Sequence, residues 1–91
     1  MFAKIAPQRA SHSDGFSVFI ADREHAGYKD RLIEARIETD FLCSIAPLYV
    51  TTLNIGVADE KANNDVTRDL VVHRIQEGLL FLGVKTELIY K

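Results

Sequence analysis

The chain of 91 residues has one cysteine, no tryptophan, two prolines and five glycines. A single thiol makes no internal disulfide and suits a reducing compartment, so the expected location is the cytoplasm. The glycines, Gly15, Gly27, Gly56, Gly78 and Gly83, never approach the spacing of a phosphate-cradling loop. That removes nucleotide binding of the P-loop or Rossmann kind. There is no excess of basic charge either: 11 Lys/Arg stand against 13 Asp/Glu, for a net charge of −2. Without a basic stripe interleaved with aromatics, counterion release has little to act on, and nucleic acid is not an expected partner. The longest apolar run, "LLFLGV" at Leu79 to Val84, falls far short of the ~20 residues a bilayer needs. The start, "MFAKIAPQRASHSDG", has no sustained apolar core and does not look like a secretion signal.

What is present is ordinary globular material, 47% hydrophobic and 26% charged. It is enough for one core in one domain, with no metal or cofactor needed to fold. Residues 1–15 read as an irregular arm punctuated by Pro7 and Gly15, and residues 16–91 as a single α+β domain. "FSVFIAD" alternates as a first strand, and "REHAGYKD" reads as a turn around Gly27.

The stretch "RLIEARIETDFLCSI", Arg31 to Ile45, has a helix-forming composition but a strand-like order. Ile33, Ala35, Ile37, Thr39, Phe41, Cys43 and Ile45 share one parity; Glu34, Arg36, Glu38 and Asp40 share the other. On a helix these charges scatter around the circumference, so no face buries without burying ions. Helix propensity is worth tenths of a kcal/mol per residue, against several for an unpaired buried charge. The strand is preferred, with Cys43 inward as a small hydrophobe and Pro47 ending it.

"LYVTTLNIGV" is β-branched and aromatic, with Tyr49, Thr51, Leu53, Ile55 and Val57 on one parity. "ADEKANN" is a loop, with Asn64 or Asp65 to cap a helix. That helix is "DVTRDLVVHRIQEGLLFLG", burying Val71, Val72, Ile75, Leu79 and Leu82, with Gly83 as its C-terminal stop. "VKTELIY" closes the chain as a strand. The expected architecture is an α+β fold with a four-stranded, mainly antiparallel sheet and one helix on a face, in the order β-β-β-α-β. The alternative, if residues 24–44 are helical, is β-α-β-α-β.

Candidate chemistry is sparse. "SHSD" around His12 and "DREH" around His25 place an imidazole near a carboxylate, the minimum for general acid–base work in a small hydrolase or nuclease. Both read more simply as polar turns. His73 with Asp69 and Glu77 has i,i+4 spacing, but zinc normally recruits more His or Cys and a second element. No metal site is expected. A pocket lined by His25, Tyr28 or Arg31 would suit an oligomeric small-ligand-binding protein.

The surplus of apolar residues outside the one helix–sheet layer is the strongest signal. Phe19, Val50 and Ile89 on the outward strand parity, and Leu80 and Phe81 off the buried helix stripe, are the expected interface. The leading expectation is thus a non-enzymatic interaction protein. It would self-associate and bind another protein, blocking or bridging it as phage and mobile-element inhibitors do.

Overall fold

Three aspartates shape the middle of the chain. Asp22 Oδ1 accepts the Glu24 amide at 2.8 Å, Asp30 Oδ1 the Leu32 amide at 2.8 Å, and Asp40 Oδ1 the Leu42 amide at 3.0 Å. Each carboxylate replaces a backbone acceptor two residues upstream and reverses the chain. Asp30 Oδ1 also accepts from Ile33 at 2.8 Å. Its carboxyl is opposed by burial, yet hydrogen bonds from Tyr28 and these two amides hold it below the usual range.

Between such turns run the strands of the computed structural model, which describes residues 1–57 and 64–90. They are β1 (Phe2–Ala6), β2 (Arg9–His12), β3 (Ser17–Asp22), β4 (His25–Lys29), β5 (Ile33–Glu38), β6 (Ala46–Val57) and β7 (Thr86–Ile89). The sheet order is β1-β2-β3-β4-β5-β6-β7, antiparallel throughout except for the parallel pair β6–β7. The helix α1 (Asp65–Phe81) makes the crossover that parallel pairing requires. The sheet curls into a half-barrel around it.

The expected four-stranded sheet is therefore incorrect, and so is its helical alternative. Ile33–Glu38 is a strand with strict alternation, Ile33, Ala35 and Ile37 buried and the charges between them exposed. Additional strands lie where propensity is weak. Residues 2–12, expected to be irregular, form the β1–β2 hairpin around Pro7 and Gln8, although "FAKIA" and "RASH" hold a single β-branched residue. Residues 25–29, expected to be a turn, form a central strand containing Gly27.

Cys43 is also corrected. It is exposed in the loop after β5, its thiol 3.5 Å from Asp40 Oδ2, and that carboxylate raises its pKa. Pro47 does not end a strand but is buried at the start of β6, opposite Glu87.

β6 carries an irregularity that simple alternation missed. From Tyr49 to Asn54 it advances five residues while β5 steps only two, from Glu38 to Arg36. Thr52 holds the bulge: its hydroxyl accepts from the Glu38 amide at 2.9 Å and donates to the Tyr49 carbonyl at 2.6 Å. The extra residues switch the inward parity, so Leu48 is buried on one side of the bulge and Leu53 and Ile55 on the other.

α1 begins where Asn64 Oδ1 accepts the Thr67 amide at 3.0 Å; the rest of the expected "ADEKANN" loop lies outside the described residues. It ends in a paired C-terminal motif. The Val84 amide reaches the Leu79 carbonyl at 2.8 Å and the Gly83 amide the Leu80 carbonyl at 3.0 Å, with Gly83 at φ +93°. Val71, Val72, Ile75 and Leu79 face the sheet as expected. Gly78 is there because the helix presses on β3: a Cβ would stand 2.5 Å from Val18 Cβ. The core beneath is a single cluster including Val18, Tyr28, Ile37 and Leu48.

Candidate functional site

The sheet ends at β7, whose outer edge pairs with nothing among the described residues. Beside this edge, between α1 and the starts of β6 and β7, lies a mainly apolar groove of about 520 Å³. Ile45, Leu80, His73, Glu77, Lys85 and Thr86 border it. Leu80 is 62% exposed and Ile45 50% exposed, high values for aliphatic side chains flanking a concave surface. His73 Nε2 meets Glu77 Oε1 at 2.8 Å on the solvent side of α1, and Gln76 Nε2 donates to the Thr86 hydroxyl at 3.2 Å. These two contacts hold polar side chains along the groove, beside the apolar Ile45 and Leu80.

Of the five residues expected at an interface, only Leu80 lines this groove. Phe81 stacks on Phe2 with ring centroids 5.6 Å apart, joining the helix end to β1. Val50 is packed against the core, and Ile89 lies half-buried one strand away, opposite Tyr49. Phe19 sits on the outer face of the sheet under Arg9. They do not form one patch.

The expected ligand set is also dispersed. Tyr28 is in the core, its hydroxyl donating to Asp30 Oδ2 at 2.6 Å and accepting from Arg74 Nη1 at 2.9 Å. Burial first, then the Asp30 carboxylate, pushes its pKa up to about 12. Arg31 lies in the turn after β4, and His25 at the opposite end of that strand.

His25 occupies a pocket of about 280 Å³ with Glu24, Glu38, Thr39, Asp40 and Tyr49. Its Nδ1 lies 2.8 Å from Asp22 Oδ1. The Asp22 carboxyl is held below the usual range by the Glu24 amide and then by His25. Thr39 Oγ1 is buried without a hydrogen-bond partner. The pairing orients the imidazole as a general base would require. Glu24, Glu38 and Asp40 in the pocket, with Asp22 beside the ring, make its surroundings acidic.

His12, the other histidine of the hydrolase alternative, lies at the end of β2. It stacks on Phe16 at 4.6 Å, meets Phe2 edge-on at 4.7 Å, and accepts the Asp14 amide at Nδ1 at 2.9 Å. It packs as an aromatic. No group of three or more His, Cys, Asp or Glu among the described residues converges enough to hold a metal ion. Among them, too, no helix is long and apolar enough to cross a membrane.

The groove was missed because Ile45 is distant in sequence from Leu80 and Lys85; "LLFLG" running past the buried stripe was the available signal. No family model matches the chain, and no curated protein and no solved structure matches it.

Proposed function

We propose that the protein is a non-enzymatic interaction module of the cytoplasm that self-associates through the edge of β7 and acts by binding another protein. The observation that carries this reading is the open β7 edge beside exposed Leu80 and Ile45. An unpaired edge presents a row of backbone donors and acceptors, which a second strand satisfies. A second copy of this chain fits by charge. Antiparallel self-pairing with Thr86 on the twofold axis sets Lys85 of each copy opposite Glu87 of the other. Both side chains are exposed and neither has an ion-pair partner among the described residues. The arrangement is isologous, so each pair occurs twice.

Light scattering of the full chain at micromolar concentration tests this. The expected result is a dimer that Leu80→Asp and Glu87→Lys each split into monomers still folded by circular dichroism. The double swap Lys85→Glu with Glu87→Lys should restore it. A strictly monomeric wild type, or a dimer indifferent to all these changes, removes the reading.

A further inference from the structure

The outer face of the sheet, away from α1, carries a different arrangement. Across five strands the register sets Arg9 beside Phe19, Phe19 beside Gly27, Gly27 beside Arg36 and Arg36 beside Asn54. The Phe19 ring occupies the space above Gly27, where any Cβ would collide with it. Arg9 Cζ stands 4.4 Å from the centre of that ring. A groove of about 420 Å³ opens along the row, bordered by Arg9, Phe19, Lys29, Arg36 and Asn54. Glu34 also borders it but is paired with Lys29 at 3.3 Å. Arg9 and Arg36 have no carboxylate within ion-pair distance among the described residues.

Two guanidinium groups without counter-ions thus flank an aromatic ring, with an amide beyond the second. Guanidinium binds phosphate oxygens in a two-pronged fork that ammonium cannot match. Aromatic rings and guanidinium planes take a flat base by stacking. Asn54 supplies both a donor and an acceptor for a base edge. The net charge of −2 does not oppose this, because fields beyond about 10 Å are screened at ~0.1 M salt and the nearby cations dominate. The volume lies in the usual range for small-ligand sites, roughly 300–1,000 Å³.

We infer that this groove binds a phosphate-bearing aromatic ring, the chemistry of a nucleotide, held by Arg36 at phosphate and, at the ring, by the Arg9 guanidinium stacked on Phe19 and by Asn54. A free nucleotide and a single strand of nucleic acid share that chemistry. The site is independent of the β7 edge, so neither proposal stands or falls with the other.

The test uses the full chain and three probes: adenosine monophosphate, a fluorescein-labelled oligothymidine decamer, and inorganic phosphate. Amide shifts in NMR spectra should move at Arg9, Phe19, Arg36 and Asn54 and stay in place along α1. The double variant Arg9→Ala with Arg36→Ala should bind at least about tenfold more weakly, a loss of roughly 1.4 kcal/mol. Phe19→Leu should weaken the nucleotide but not inorganic phosphate. Decamer binding with a steep salt dependence identifies a strand as the source, since each neutralised phosphate adds about −0.7 to the log–log slope. Monophosphate binding at least as tight as the decamer's identifies a free nucleotide. Should the double variant unfold, Arg36→Gln with shift mapping replaces it. The proposal is overturned if neither nucleotide probe binds at about 1 mM, if phosphate binds as well as both, or if the double variant binds unchanged.

Discussion

Two rows of residues, one position apart on the same five strands, differ in almost every physical respect. The inner row, Ala10, Val18, Tyr28, Ala35 and Ile55, lies beneath the helix layer and is buried throughout. The outer row, Arg9, Phe19, Gly27, Arg36 and Asn54, keeps two cations and one flattened ring in contact with water. Both rows obey the same pleat and the same register. The inner row is constrained by volume, since an interior has no space to yield. The outer row is constrained only where Phe19 crosses Gly27, and a side chain at a surface can swing aside. Equal substitutions should therefore have unequal consequences on the two faces.

The largest effect belongs to the layer that covers the inner row. Ile75 and Leu79 are fully buried, and truncating either to Ala should cost about 2–5 kcal/mol. Urea denaturation monitored by circular dichroism measures it. A loss below about 1 kcal/mol would mean that the helix is not seated on the sheet.

Gly78 sharpens the point because two effects oppose there. In an exposed helix, Gly→Ala gains up to about 1 kcal/mol. Here the new Cβ meets Val18 at 2.5 Å, and overpacking costs about 1–3 kcal/mol. Gly78→Ala should thus destabilise, and Val18→Ala, which removes the Cγ contacts but keeps Cβ, should cost less beside Gly78→Ala than in the wild type. The coupling in that double-mutant cycle is the observable.

Tyr28 links the inner row to the rim. Its hydroxyl both donates to Asp30 and accepts from Arg74, so Tyr28→Phe should cost about 1–2 kcal/mol through its unmatched partners. The folded pKa of about 12 lies above the ordinary value of 10.0. Between those two pH values the native state holds a proton that the unfolded state has lost. Stability from this group is therefore full below about pH 10 and lost as pH rises toward 12. Tyr28→Phe should flatten that part of the stability–pH curve. An unchanged slope would show that the fall has another source.

The outer face should yield the smallest change. Gly27→Ala pushes the far end of the Phe19 ring aside, at a cost expected below about 1 kcal/mol, and should release the Arg9 contact. Aromatic proton shifts of Phe19 should move strongly while the melting temperature barely does. Cys43→Ala, exposed and away from the core, should stay within about 0.5 kcal/mol of wild type. A larger loss would place the thiol in contacts that its exposure does not show.

Legibility in the sequence tracked the strength of local signals. β5 was readable because Ile33 to Glu38 alternates without a break, and α1 because apolar spacing, an Asn64 cap and Gly83 agree. The Asp22, Asp30 and Asp40 turns were available but passed over, and with them the limits of β4. β1 and β2 have no such signal. Their strands exist because Ala10 fits under the helix layer and Phe2 packs against Phe16 and Phe81. Neither candidate site was visible, because Ile45 reaches Leu80 and Lys85, and Arg9, Phe19 and Arg36 share one groove, only when strands pair.

Sequence alone determined the helix, its caps, most of its buried stripe and the strand character of four segments, since each depends on periodicity and capping within one turn or one strand. Only the tertiary structure decided that the sheet has seven strands, that Gly27 lies mid-strand and that Cys43 faces water. Those outcomes depend on which neighbour supplies the missing hydrogen bonds and volume, and that neighbour is distant along the chain.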